Sequence, residues 1–164
     1  MQLQIDTREA LPLEFPKVIG VEVVTTTLPV GDYGAIYSDG TPDTSVVERK
    51  GVGDLFTSFT GGYEQERNKI LRAKARDLTY ILAIEATWTE IRKGHSYWKA
   101  GELHESRKTG LAMVKQLCTL QRKYGVQVWA CSSRTEMAWQ IQEYFLAGER
   151  LGHHEQASLS LRQS

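Results

Sequence analysis

The chain has 164 residues, 41% hydrophobic and 24% charged, which suits one globular domain and excludes a disordered chain. Twenty basic residues balance twenty acidic ones, so the protein cannot coat nucleic acid through net charge alone. No apolar run approaches the roughly 18 residues that span a bilayer. Residues 1–6 lack the basic start and apolar run of a signal peptide, which predicts a cytoplasmic protein, or a nuclear one in a eukaryote, that is not secreted.

The first part of the chain predicts strands and a hairpin. Residues 2–5 alternate in polarity and residues 21–26 are β-branched, and both patterns are typical of strands. Turn residues over 38–43 separate residues 33–37 from residues 46–50, which predicts two hairpin arms with a longer loop.

A helix is predicted from Leu55, with Asp54 as its cap, and a second helix over 63–75. The continuous apolar run 79–84 indicates a buried central strand. Residues 87–107 fit neither the helical nor the strand period, which predicts a long loop or a frayed helix.

The last part predicts helix 108–124, strand 126–131 and helix 134–147. Residues 150–164 are polar and weakly patterned, which predicts a mobile tail behind a domain of residues 1–149. The order of elements predicts an α/β fold with a mixed β-sheet flanked by helices.

Three charged residues of the hairpin are candidates for chemistry. Glu48 and Lys50 are two apart on a strand, so their side chains leave the same face, and pairing of the arms brings Asp32 toward Glu48. Carboxylate oxygens hold Mg²⁺, which lowers the pKa of a bound water and polarises a phosphate. A lysine beside them would position the water and stabilise developing charge. The triplet alone is common in unrelated sequences.

A longer ordered pattern surrounds these residues. It consists of Asp6-Thr7-Arg8-Glu9, Gly31-Asp32, Glu48-Arg49-Lys50-x-x-x-Asp54, Leu55-x-x-Ser58 and a strand ending Ile84-Glu85. In this pattern the sequence resembles the XPF-type nuclease family, the structure-specific endonucleases of DNA repair. The resemblance covers about residues 3–86.

The resemblance implies a restriction-endonuclease-like fold and metal-dependent cleavage of branched, flapped or junction DNA, which leaves 5′-phosphate and 3′-hydroxyl ends. Asp32 and Glu48 match the metal-binding carboxylates of the family, and Lys50 matches its catalytic lysine. Asp6 and Glu9 match acidic positions near the metal and would serve a second ion. The implied cofactor is Mg²⁺, with Mn²⁺ as a substitute.

Arg49 and Asp54 match motif positions that support the catalytic site. Their residue types allow a simpler reading as well. Arg49 points to the strand face opposite Glu48, where it would form a structural ion pair, and Asp54 would act only as a helix cap.

Basic residues near the motif predict contact with DNA: Arg8, Arg67, Lys69 and Arg72. The last three follow Gly61-Gly62, where the family usually carries an arginine, and their alternative is a solvated helix face. Many relatives continue into a helix-hairpin-helix domain, for which this chain has no room. We therefore expect targeting through its own surface, a partner protein or a homodimer formed by the C-terminal helices.

Three aromatic residues lie among basic ones in the stretch 87–107: Trp88, Tyr97 and Trp98. They would either stack on unpaired bases or pack against the core. Two other functions remain open. One is a non-catalytic DNA-binding or scaffolding subunit, and the other is a junction-resolvase or restriction-type nuclease of the same fold.

Overall fold

The computed structural model describes residues 1–61, 63–99 and 101–162, with the backbone alone at 98–99 and 153–162. The strands are β1 Gln2–Asp6, β2 Glu22–Thr26, β3 Tyr33–Ile36, β4 Ser45–Gly51, β5 Thr79–Glu85, β6 Ser96–Lys99, β7 Glu102–Glu105 and β8 Gln127–Ala130. The helices are α1 Val52–Thr60, α2 Tyr63–Lys74, α3 Trp88–Lys93, α4 Gly110–Tyr124 and α5 Arg134–Arg162.

Six strands form one mixed sheet in the order β2-β1-β3-β4-β5-β8. The pairs β1–β3 and β3–β4 are antiparallel, whereas β1–β2, β4–β5 and β5–β8 are parallel. This sheet confirms the predicted α/β class. Strands β4 and β5 pair with neighbours on both sides; β5 is buried over residues 80–84, as its apolar run predicted, and β4 over residues 45–48.

Strand alternation divides the core between the two faces of the sheet. On one face, side chains of β4 and β5 pack against α1, α2 and α4, with Phe56 and Leu117 fully buried. On the other face, Val47 and Ile81 pack against α5, where Ile141 and Phe145 are fully buried. No helix in the described part of the chain is long and apolar enough to cross a membrane.

Two predictions from the sequence were wrong. The described residues of the stretch 87–107 form α3 and the two-stranded hairpin β6–β7, whose four-residue strands are too short to show a period. Helix α1 begins at Val52, not at Leu55, because the extended Gly51 leads directly from β4 into the helix. Asp54 is therefore not the cap.

Helix α5 is longer than predicted. It continues past residue 147 to Arg162, through most of the segment that was predicted as a tail, while residues 163–164 lie outside the described part of the chain. Its polar second half carries no apolar stripe that sequence periodicity could detect.

A glycine allows α3 and α4 to meet. A Cβ atom added at Gly110 would overlap the backbone carbonyl of Arg92 and lie 2.6 Å from the amide nitrogen of Gly94. We expect Gly110→Ala to lower stability by about 1–3 kcal/mol, because backbone atoms cannot yield as side chains do. Thermal unfolding followed by circular dichroism measures the loss. The control is Gly152→Ala in α5, where an added Cβ meets nothing within 4 Å and stability should hold or rise. Equal melting temperatures for the two variants would contradict this account.

Candidate active site

The hairpin of β3 and β4 brings the motif carboxylates together. Tyr33 pairs with Val47, so the next pair in the antiparallel register places Asp32 opposite Glu48. The Asp32 amide donates to the Val47 carbonyl at 2.7 Å, and the Arg49 amide donates to Asp32 Oδ2 at 2.8 Å. The first bond fixes the Asp32 backbone to β4, and the second holds its carboxylate there.

The glycine before Asp32 has a conformational reason. Gly31 has φ +80°, in the left-handed region that side chains rarely adopt, and an added Cβ would lie 3.1 Å from Val46 Cβ and from the Val47 carbonyl oxygen. Only glycine allows the chain to turn this closely over β4. The glycine thus forms the turn that places Asp32 opposite Glu48.

Glu48 is 3% exposed and lies between two lysines. Lys50 Nζ is 3.0 Å from Glu48 Oε1, and Lys69 Nζ of α2 forms a short ion pair with the same oxygen. Strand alternation predicted the shared face of Glu48 and Lys50. The approach of Lys69 depends on how α2 packs over the sheet, which no local pattern reveals.

Glu66 of α2 is a site residue that the motif analysis missed. It is 2% exposed, its carboxylate lies 3.2 Å from Lys50 Nζ, and it accepts a hydrogen bond from the Tyr80 hydroxyl at 2.8 Å. A signal was present in the sequence, because Glu66 falls on the helix stripe of Ile70 and Ala73, both buried. A carboxylate on a core stripe is rare unless it is paired.

Lys50 is held as an ammonium ion. Burial lowers the pKa of Lys50, but the carboxylates of Glu66 and Glu48 outweigh it and raise the pKa above its ordinary value. A lysine with a raised pKa donates hydrogen bonds and stabilises negative charge at neutral pH. It does not serve as a general base there.

Asp32 and Glu48 face a shared cavity of about 250 Å³. Burial, together with the negative charge of Glu48, raises the pKa of Asp32 to about 7. Lys50 and Lys69 both pair with Glu48, so Asp32 is the carboxylate whose charged form the site disfavours. A cation between the two carboxylates would remove the repulsion.

The donor set fits a magnesium ion. Asp32 and Glu48 supply hard oxygen ligands, and Mg²⁺ typically binds through one or two carboxylates while it keeps several waters. Within the described residues, no group of three or more His, Cys, Asp or Glu side chains is arranged to hold a metal. An Mg²⁺ ion held by Asp32 and Glu48 alone would complete its coordination shell with water.

Asp6 lines the same cavity, but both of its oxygens are engaged. Oδ1 accepts from Arg8 Nε at 2.6 Å, and Oδ2 accepts from Arg8 Nη2 at 2.9 Å and from the Leu28 amide at 2.6 Å. The Arg8 hydrogen bond, the strongest influence, lowers the pKa of Asp6 to about 2. In this arrangement Asp6 orients Arg8 at the rim of the cavity.

Arg49 leaves β4 on the opposite face and forms an ion-pair network. Its guanidinium binds Glu9 in bidentate fashion at 2.9 and 3.2 Å and Glu85 at 2.8 Å. Arg134 of α5 binds the same Glu85 oxygen at 2.7 Å. The sequence left two roles open for Arg49, support of the catalytic site or a structural ion pair, and these contacts are those of a structural ion pair. Glu9 is held in this network and is not among the residues that line the cavity.

Asp54 lies in the first turn of α1, where its charge favours the positive end of the helix dipole. Its carboxylate oxygen would be 3.8 Å from a Cβ atom at Gly51. The residue lines a different cavity, between α1 and the β6–β7 hairpin, and not the one around Asp32.

The predicted DNA-binding residues separate into two groups. Arg8, Lys69 and Arg72 line the cavity of Asp32 and Glu48 and form its basic rim. Arg67 lies on another face of α2, where it forms an ion pair with Glu64 at 3.1 Å and a hydrogen bond with Tyr124. Only the first group is placed to meet a phosphate at the carboxylates.

Comparison with known proteins bears on the family and the fold. The family model of the ERCC4 domain matches residues 5–143. The structure of XPF from Aeropyrum pernix aligns with a TM-score of 0.60 and 22% identity over 93% of this chain and 61% of that chain. XPF from Aeropyrum pernix in complex with DNA aligns with a TM-score of 0.60 and 20% identity, over 94% and 66%. The search of curated proteins gives no match.

This chain spans less than two thirds of the length of the two solved chains. Their identities of 22% and 20% establish the shared fold. The matches confirm the family resemblance and the restriction-endonuclease-like sheet that the sequence motifs indicated.

Proposed function

The chain belongs to the ERCC4 domain family, and on that premise we propose that it is a metal-dependent DNA endonuclease. The observation that carries the proposal is the meeting of Asp32 and Glu48 at one cavity with a basic rim, with Lys50 Nζ 3.0 Å from Glu48 behind it. A solved relative is described as a complex with DNA. We propose DNA as the substrate here as well.

Asp32 and Glu48 would hold the Mg²⁺ ion, for which Mn²⁺ would substitute. When bound, the ion supplies Lewis acidity toward the phosphate and a more acidic water. Lys50, kept charged by Glu48 and Glu66, would donate to the phosphate and stabilise the negative charge that develops on it. Arg8 and Arg72 at the rim would hold neighbouring phosphates in register.

Asp6 and Glu9 have positioning roles in this proposal. Asp6 orients Arg8, and Glu9 holds Arg49, whose backbone amide supports Asp32. Arg49 and Asp54 are likewise placed outside the reacting groups. The second metal ion that the family resemblance implied for Asp6 and Glu9 would require both arginines to release their carboxylates.

We further propose branched, flapped or junction DNA as the substrate, cut to leave 5′-phosphate and 3′-hydroxyl ends. This would serve DNA repair or recombination in the cytoplasm, or in the nucleus of a eukaryote. A homodimer or partner protein that docks on α5 would add DNA contacts. Hydrolysis to these ends follows from attack of water on phosphorus with departure of the 3′ oxygen.

Cleavage of a substrate panel tests the function. We expect nicking of flapped and branched duplexes in Mg²⁺, and loss of all nicking in EDTA, because the two carboxylates alone cannot activate water. Gel mapping with end-labelled strands measures the cut positions and end groups. Restored nicking on addition of excess Mg²⁺ is the control for damage by the chelator.

Each outcome separates one alternative. Nicking that is equal in EDTA and Mg²⁺ would overturn the metal dependence. Paired symmetric incisions on four-way junctions would identify a resolvase. Tight binding to branched DNA without cleavage on any substrate, in either Mg²⁺ or Mn²⁺, would identify a DNA-binding subunit.

A further inference from the structure

The β6–β7 hairpin presents a ladder of aromatic rings that the proposed chemistry does not use. Tyr97 pairs with His104 across the hairpin, and their rings stack with centroids 5.8 Å apart. His95 stacks on Tyr97 at 6.2 Å, and Phe56 of α1 lies 5.9 Å from His95. The ladder thus runs from the buried core out to the surface. Trp98, which the sequence also suggested for stacking, has a side chain outside the described part of the structure.

The outer rings of the ladder are open to solvent. Tyr97 is 44% exposed and the His104 side chain is 41% exposed, whereas Phe56 is 1% exposed. Aromatic side chains that serve only the core are buried, because burial is what stabilises them. Tyr97 and His104 instead keep part of their ring surface open to a ligand.

A cavity of about 540 Å³ lies beside the ladder, between α1 and the hairpin. His95 and Tyr97 line one side, Thr57 of α1 lines the other, and Arg107 lies at the edge. Its volume falls within the range of small-ligand sites. Aromatic walls with a hydroxyl and a guanidinium suit a nucleotide, whose base stacks and whose phosphate binds arginine.

The cavity wall holds one basic residue, Arg107, and one acidic residue, Asp54, while the sequence segment around it is basic. The segment 92–108 contains five basic and two acidic residues, a formal charge of +3 in a chain whose net charge is zero. The acidic members are Glu102 and Glu105, both in β7, and Asp54 is the acidic residue in the cavity wall. The basic residues therefore outnumber the acidic ones even with Asp54 included.

The hairpin is tied to the active site through α1. This helix begins two residues after Lys50, and its first turn carries Gly53. A Cβ atom added at Gly53 would lie 3.2 Å from His95 Nε2, so the glycine allows the hairpin to pack closely on this turn. Through Gly53 and His95, the hairpin is therefore anchored to the helix that directly follows the strand of Glu48 and Lys50.

We propose that the cavity between α1 and the hairpin binds an unpaired nucleotide of single-stranded DNA, with its base stacked on Tyr97 and its phosphate at Arg107. The site would hold the single-stranded arm of a substrate whose phosphodiester bond is cut at Asp32 and Glu48. This nucleotide site rests on the proposed function only because it takes DNA as the ligand. Binding can be measured without cleavage, so the two proposals can be tested separately.

The test uses the full chain in EDTA, with fluorescence anisotropy of a short labelled oligothymidylate and of a blunt duplex. We expect Tyr97→Ala to weaken binding of the oligothymidylate roughly 5- to 100-fold, the range for loss of one base–aromatic stack. Binding of the duplex should change less than about twofold, because phosphate contacts elsewhere carry it. Tyr97→Phe keeps the ring and should keep the affinity.

Leu103→Ala is the matched control. Leu103 is 60% exposed on the same hairpin, and its register partner is Trp98, so it lies on the opposite face from Tyr97. An equal loss for Leu103→Ala and Tyr97→Ala would show a general effect on the hairpin and would overturn the proposal. Unchanged oligothymidylate binding in Tyr97→Ala and Arg107→Ala would overturn it as well.

The two proposals fail in different ways. If Tyr97→Ala binds single strands normally and the unmodified chain still cuts in Mg²⁺, only the nucleotide site is overturned. If oligothymidylate binding depends on Tyr97 but no substrate is cut in Mg²⁺, the site is supported and the nuclease proposal is overturned.

Discussion

Replacement of Glu48 by glutamine is expected to reduce DNA cleavage in Mg²⁺ by at least about a thousandfold, the equivalent of several kcal/mol of lost transition-state stabilisation. Glutamine has nearly the same shape, but it carries no charge to hold the ion beside Asp32. Initial rates on the best substrate of the panel measure the effect. Asp32→Asn should reproduce it, because Asp32 stands opposite Glu48 in the hairpin register.

The fold should survive this substitution. Lys50 keeps its ion pair with Glu66 at 3.2 Å, and the Lys69 side chain is 32% exposed and can reach solvent. Circular dichroism should therefore show an unchanged spectrum. Glu22→Gln is the matched control, since it makes the same change at an exposed site on the edge strand β2. If the folded Glu48→Gln variant cleaved DNA at the full rate, the proposal that Glu48 binds the metal ion would be contradicted.

Replacement of Arg49 by methionine is expected to lower the free energy of unfolding by about 3 kcal/mol. Arg49 is 12% exposed and Glu9 is 6% exposed, so the substitution leaves a carboxylate buried without its partner. For a domain of this size the melting temperature should fall by roughly 6–12 °C. Calorimetry or thermal circular dichroism provides the measurement.

Arg134→Met is the comparison for Arg49. Arg134 binds the same Glu85 oxygen, but its side chain is 42% exposed and Glu85 keeps Arg49 as a partner. We expect a loss of only about 1 kcal/mol or less, as for other exposed ion pairs. Cleavage by Arg49→Met, assayed well below its melting temperature, should stay within a few-fold of the unmodified chain. If Arg49→Met lost cleavage while its stability was unchanged, Arg49 would have a role in the reaction, and the purely structural role would be contradicted.

Local patterns were sufficient to predict which residues of β4 share a face. Polarity alternation placed Glu48 and Lys50 on one face of β4 and Arg49 on the other, as the structure confirms. Hairpin pairing likewise predicted that Asp32 faces Glu48. These relations hold within neighbouring segments, where backbone geometry alone fixes which side chains meet.

Relations between distant elements were not predictable in this way. Lys69 and Glu66 reach Glu48 and Lys50 because α2 packs across the sheet, and helix periodicity states only which face is buried. The roles of Asp6 and Glu9 changed for the same reason. Their arginine partners depend on how the chain folds, whereas a sequence motif shows only which residue is present and not which side chain it contacts.

The alternation on β4 also protects the fold against a misaligned strand. A slip of one residue would exchange the two faces of β4. Arg49 would then enter the cavity beside Lys69, and Glu48 would meet Glu9 and Glu85 on the other face. Like charges would collide on both sides of the sheet at once. The residues proposed for cleavage would thus also raise the free energy of a molecule whose β4 is wrongly registered.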